Sequence, residues 1–147
     1  MQYAEFMNEA LAEAKQGLGE GGIPIGSVLV LDDQIVGRGH NQRVQLGSTI
    51  RHAEMDALES AGRMTAKEYQ RCVLYTTLSP CAMCSGTILL YKIPTVVIGE
   101  NTTFMGEETL LRERGINVIV LHNPECAELM REFIRNSPDL WAEDIGE

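Results

Sequence analysis

The sequence predicts an α/β fold, a three-layer α/β/α sandwich around a five-stranded mixed sheet. Two observations carry this. In the second half, short β-branched runs alternate with stretches of helical periodicity, and strand–helix–strand repeats require parallel strands. In the first half, two apolar runs flank Asp32-Asp33 and read as a hairpin, which supplies an antiparallel pair. A length of 147 residues fits one domain spanning 1–147, with enough chain for a core.

Taken in order, residues 2–18 carry Tyr3, Phe6, Met7, Ala10, Leu11 and Ala14 at helical spacing, and Gly17 and Gly19 end that helix. Gly21-Gly22-Ile23-Pro24 is a turn into the first strand, residues 27–31, and residues 34–38 form the second. A polar loop follows to Ile50. His52 to Ala61 reads as a helix stopped by Gly62, and a short amphipathic stretch occupies 65–71. Cys72 to Leu78 is a strand. Ser79 as N-cap and Pro80 as first helical residue predict a helix from there to Tyr91. Residues 95–99 and 117–121 are strands, and 107–114 and 124–136 are helices. The last stretch, 138–147, is short and acidic and holds the one tryptophan.

Hydrophobic content of 44% and charged content of 22% are ordinary for a soluble globular chain. No apolar run approaches the ~20 residues of a membrane span. The N-terminus lacks a basic region followed by an apolar stretch, so a cytoplasmic location with reduced cysteines is expected. The formal net charge is −9, from 12 Lys+Arg against 21 Asp+Glu. Polynucleotide binding rests on basic patches, so this balance points to a small uncharged ligand rather than nucleic acid.

Two motifs carry the chemistry: His52-Ala53-Glu54 and Pro80-Cys81-Ala82-Met83-Cys84. His52, Cys81 and Cys84 are candidate zinc ligands. Three protein ligands leave a tetrahedral ion one open position, the mark of a catalytic rather than a structural site. Both halves sit at predicted helix starts, where the helix dipole favours thiolates. Glu54, two residues from His52 and so directed away from it on a helix, suits a proton carrier that does not ligate the metal. This H-x-E…P-C-x-x-C pattern resembles that of the zinc-dependent nucleobase deaminases. In that chemistry Glu54 takes a proton from water and delivers protons to the ring nitrogen and the departing amine. A closed structural zinc site is the competing reading. It needs a fourth ligand, with Cys72, His122 and Cys126 as candidates. Cys72 and Cys126 read instead as buried small residues, and His40 and His122 as satisfied structural histidines.

Beyond these motifs the chain resembles the fungal cytosine deaminases along almost its whole length. The matching stretches are Glu20-Gly-Gly-Ile-Pro-Ile-Gly26, Gly37-Arg-Gly-His-Asn41, Leu74-Tyr-Thr-Thr-Leu-Ser-Pro-Cys81, Ile93-Pro94, Ile98-Gly-Glu-Asn101 and Trp141-Ala-Glu-Asp-Ile-Gly-Glu147. The resemblance implies one catalytic zinc per chain, a homodimer, and a role in pyrimidine salvage. It implies that Asn41 hydrogen-bonds the pyrimidine and that Asp144 contacts the side of the exocyclic amine. It further implies that Phe104 and Trp141 close over the ring, Ile25 forms an apolar wall, and the Ser79 carbonyl holds the leaving amine. The backbone amides of Ala53 and Cys84 would orient the ring and the attacking water. Read from composition alone, Trp141 would be a tail anchor and Asp144 a solvated charge. The chain departs from the fungal pattern at Ala53 and Ser27, where that pattern has glycine, and matches less closely over 42–50 and 105–115. Creatinine, isocytosine, guanine or a triazine would use the same catalytic set, with only the pocket walls discriminating.

Overall fold

The computed structural model describes residues 2–147. Thirteen elements follow one another: α1 (Gln2–Gly19), β1 (Gly26–Leu31), β2 (Gln34–His40), α2 (Arg43–Leu46), α3 (Ala53–Ala61), α4 (Ala66–Tyr69), β3 (Cys72–Leu78), α5 (Ala82–Tyr91), β4 (Thr95–Glu100), α6 (Glu108–Glu113), β5 (Asn117–Val120), α7 (Pro124–Asn136) and α8 (Pro138–Asp144). The sheet order is β2-β1-β3-β4-β5. β1 pairs antiparallel with both β2 and β3, while β3–β4 and β4–β5 are parallel. The mixed five-stranded sheet is therefore as expected.

Side chains alternate across the sheet and divide the core in two. Val28, Val30, Tyr75 and Val97 face α1 and α7, where Met7, Ala10, Leu11 and Cys126 are buried against them. Leu29, Leu74, Val96 and Ile98 face the other way, onto Ile88 of α5, Leu111 of α6 and the apolar side of α3. These two helical layers complete the sandwich. Among the described residues no helix is long and apolar enough to cross a membrane.

Helix α3 lies directly on the backbone of β2. A Cβ on Gly37 would meet the Ala57 carbonyl at 2.2 Å, and one on Gly39 the Ala57 nitrogen at 2.6 Å. Those glycines let the start of α3 sit over the sheet at the end where β1 and β3 carry Ile25 and Leu78.

The structure corrects the expected elements at four points. The helix after β3 begins at Ala82 with Cys81 as N-cap, not at Pro80 behind a Ser79 cap. The Ser79 hydroxyl donates to Glu108 and accepts from the Gly106 N–H, so it caps no helix. Within the polar loop, α2 forms a single turn closed by Gly47 at φ 63°, too short for periodicity to reveal. The acidic tail folds as α8, starting at Pro138, and buries Trp141 and Asp144. His122 is exposed at φ 52° rather than a satisfied core histidine, whereas Cys72 and Cys126 are buried as expected.

Candidate active site

The site forms where two helix N-termini meet the tail. His52 is the N-cap of α3 with extended backbone (φ −63°, ψ 167°), and Cys81 is the N-cap of α5 (φ −69°, ψ 178°). Because His52 stands outside the helix, helical angular spacing does not separate it from Glu54, and both line one cavity. This revises the expectation that the two side chains point apart. Cys84 follows Cys81 by one turn and is buried.

The donor atoms of His52, Cys81 and Cys84 all lie within 4.8 Å of one another. Cys81 Sγ is 3.5 Å from His52 Nδ1. A tetrahedral zinc with ordinary Zn–S and Zn–N bonds separates such a pair by about 3.5 Å, so this pair already stands at the spacing the ion requires. The other imidazole nitrogen, Nε2, lies 3.3 Å from Asp144 Oδ1. A carboxylate on the second nitrogen fixes the ring so that Nδ1 is left for a metal.

The electrostatics suit this arrangement. The Cys84 hydrogen bonds, with help from His52 and against burial, pull the Cys81 thiol down to about 4. Cys84 shares that bond as donor and, buried beside Glu54, is pushed well up. Burial, opposed chiefly by the His52 charge, raises Glu54 to about 7. Burial alone would raise Asp144 as well, but His52, Arg43 and Asn41 outweigh it and hold the carboxyl below its ordinary value.

Every predicted side chain of the site lies here, though not all reach the cavity. Ile25, His52, Glu54, Ser79, Cys81, Phe104, Trp141 and Asp144 line it. Phe104 and Trp141 meet edge to face with centroids 5.8 Å apart. Asn41 stands one layer back. It is fully buried, its Nδ2 donates to both Asp144 oxygens at 3.1 and 3.2 Å, and its Oδ1 accepts from the Arg43 N–H at 2.9 Å. Ala53, also fully buried, is the first residue of α3 and carries one of the N–H groups that a helix start leaves without an intrahelical partner. Cys84 stands in the first turn of α5, where the backbone N–H groups lack intrahelical partners.

Sequence reasoning missed Leu78, Ile145 and Arg43. The first two line the cavity. Arg43 donates from Nε to Asp144 at 2.9 Å and from Nη1 to Glu143 at 3.0 Å, tying α2 to α8. No local pattern marks a cation whose partner lies 101 residues away.

The loop before α6 is held from below. Buried Glu100 accepts from the backbone and hydroxyls of Thr102 and Thr103. Ser79 Oγ donates to Glu108 at 2.6 Å and accepts from the Gly106 N–H at 2.9 Å. A Cβ at Gly106 would strike the Pro80 carbonyl at 1.8 Å, so glycine is needed for this loop to present Phe104.

The cavity that remains is small, ≈ 20 Å³, or about one water. Trp141, Asp144 and Ile145 roof it.

Comparison with known proteins agrees with this geometry. The cytidine and deoxycytidylate deaminase zinc-binding region matches residues 1–100. A cytosine deaminase of Candida albicans is 54% identical over 139 residues, 94% of this chain and 93% of that protein. A tRNA-specific adenosine deaminase of Streptococcus pyogenes is 40% identical over 140 residues, 88% of each chain. Among solved structures, one from work on A-to-I editing by tRNA deaminases at the wobble position superposes with a TM-score of 0.72 at 28% identity, covering 86% of this chain and 99% of that one. The pattern of zinc ligands, the sheet order and the sequence match converge: this chain belongs to the family of zinc-dependent cytidine and deoxycytidylate deaminases.

Proposed function

We propose that this protein hydrolytically deaminates a free nucleobase, cytosine to uracil with release of ammonia. The observation that carries the reading is the roof: α8 lays Trp141, Asp144 and Ile145 across the metal site. A small base can be enclosed there, whereas the ribose of a nucleoside or a polynucleotide strand would collide with the tail. The likeness to the Candida albicans cytosine deaminase supports the same substrate. The net charge of −9 weighs against the tRNA substrate of the Streptococcus pyogenes relative.

Zinc, when bound by His52, Cys81 and Cys84, supplies the Lewis acidity that makes water a nucleophile at neutral pH. The chain supplies the rest. Glu54, buried and lining the cavity, receives the proton of the attacking water. It passes that proton to the ring nitrogen as the C–O bond forms. It then takes the remaining proton from the adduct's hydroxyl as C=O forms and hands it to the amine, which leaves as ammonia when the C–N bond breaks. A carboxylate raised to about 7 by burial can both accept and donate near neutral pH. Ile25, Leu78, Phe104 and Trp141 give the ring apolar faces, and edge-on groups set its orientation. Asp144 faces the exocyclic amine and the Ser79 carbonyl receives the departing nitrogen. Asn41, freed in part from Asp144 when the tail opens, offers a donor and an acceptor to the N–C=O edge. The Ala53 and Cys84 amides orient the ring and the water.

The chain acts as a cytoplasmic homodimer in pyrimidine salvage. Exposed Ile50 (61%), Leu90 (70%) and Tyr91 (40%) support the dimer; Ile50 and Tyr91 border a surface groove of ≈ 530 Å³ on the α3–α5 side. Ammonia release by the zinc-loaded protein from cytosine, cytidine, guanine, adenine, creatinine and isocytosine tests the substrate. Cytosine is expected to lead cytidine by ~10²-fold in kcat/KM. Preference for another ring would keep the chemistry and move specificity into residues 42–50 and 105–115. No turnover with zinc present would return the site to a structural role.

A further inference from the structure

Next to Asn41 lies a buried charge cluster that the catalytic scheme does not use. The His40 ring, 7% exposed, packs on Gly17 of α1, with a Cβ there only 3.1 Å from Cδ2. Its Nδ1 lies 2.9 Å from Glu13 Oε1 and its Nε2 2.8 Å from Glu20 Oε1. A carboxylate only accepts, so both ring nitrogens must donate, and only an imidazolium has a hydrogen on each. The other groups around the ring fit that charge. From β2, Arg38 Nε binds the second oxygen of Glu13 at 2.8 Å, so Glu13 is shared between two cations. From α3, Asp56 Oδ2 accepts the His40 N–H at 3.0 Å while its Oδ1 takes Arg51 Nε. The Gln42 amide nitrogen lies 3.3 Å from Nε2 but, being a donor itself, does not accept from it, and it donates to Asp56 at 3.3 Å.

We propose that His40 is held as an imidazolium strut between Glu13 and Glu20, and that this strut positions Asn41, and through it Asp144, for turnover. The geometry gives it that reach. His40 is fixed on one side to α1 and on the other, through its backbone, to α3. The next residue, Asn41, carries the amide that holds the tail carboxylate. Loss of the ring proton would set a lone pair against a carboxylate at one end, loosening the end of β2 just where α8 docks. Burial works against the charged ring, yet the Glu13 and Glu20 hydrogen bonds leave it above its ordinary value. His40 is thus a positioning residue, and its role rests on the deaminase reading only for the activity part of the test.

The test has a spectroscopic arm and a kinetic arm. The chain has three histidines, so long-range ¹H–¹⁵N correlation of the zinc-loaded protein resolves each ring. His40 is expected to show two protonated nitrogens at pH 7.5. A neutral His40 at that pH overturns the proposal. Glu20 is 39% exposed at its side chain, so Glu20→Gln should fold with unchanged zinc content. This variant should lower the His40 titration midpoint and move the alkaline fall of kcat/KM for cytosine down by the same amount. Above the new midpoint the loss relative to the parent should be about tenfold, the scale of a slight misplacement of a substrate-orienting group. A His40 midpoint that does not move, or one that moves while the pH–rate profile stays in place, overturns the strut. If cytosine is not the substrate, the spectroscopic arm still decides the charge state.

Discussion

Glu54 is the residue on which turnover depends in this mechanism, and its environment separates its role from that of the ligands beside it. It is 5% exposed and lines the same cavity as His52 and Cys81. Glu54→Gln keeps the volume and a hydrogen-bonding end but cannot carry a proton. It should retain one zinc per chain by elemental analysis and lose ~10²–10⁴-fold in kcat. Near-full activity would remove Glu54 from the mechanism. Cys72 and Cys126 shift in the opposite direction to Cys81. Burial pushes Cys72 up to about 11 and Cys126 up to about 12, so both are thiols at neutral pH. Iodoacetamide at pH 8 should leave both unmodified in the native zinc-loaded protein by peptide mass mapping. Labelling of either would place it in an open or mobile part of the molecule. The ligand set was legible because its chemistry demands fixed residue types at short spacings, His-x-Glu and Cys-x-x-Cys. The direction of Glu54 was not, because nothing in the sequence distinguishes His52 as the helix cap from His52 as the first helical residue.

At the scale of elements, the decisive contact is between α2 and α8, the two helices that periodicity did not show. A four-residue turn has no room for a repeat, and the tail, rich in Asp and Glu, reads as solvent-facing. The resemblance to fungal enzymes pointed to Trp141 and Asp144, and both are buried under α8. By contrast, the strands of the second half were legible because both faces of the parallel region are covered, which makes them continuous β-branched runs. Asp144 is nearly inaccessible and its charge is met by Arg43, Asn41 and His52. Breaking such a buried pair leaves an uncompensated charge. Arg43→Met should therefore undock α8 and cut kcat/KM on cytosine by at least ~10-fold, with zinc content retained. Since Arg43 touches neither the metal ligands nor the cavity, an unchanged kcat/KM would mean that the tail is placed by Trp141 packing alone. Deleting residues 138–147 should likewise cripple turnover more than it lowers zinc content.

Across the whole molecule, the strut and the exposed α3–α5 face make separate claims about stability and assembly. The folded His40 has a raised pKa, so its contribution is full below the ordinary histidine value of about 6.5. It is lost as pH rises through the folded value. The urea midpoint of the parent should accordingly fall more steeply with rising pH across that interval than the midpoint of Glu20→Gln. Assembly follows from surface chemistry rather than charge. Ile50, Leu90 and Tyr91 stay exposed, as do Leu18, Val44, Leu46 and Met105. Tyr91 stacks on Tyr69 with ring centroids 4.6 Å apart, which gives the groove one rigid aromatic wall. No residue of α8 lines this groove. Light scattering on a sizing column should give about twice the 16.3 kDa chain mass. Ile50→Glu combined with Leu90→Glu should return it to one chain, because two charges buried at an apolar contact cost several kcal/mol. A monomer in the parent protein, or a dimer that survives both substitutions, would assign the apolar face to something other than self-association.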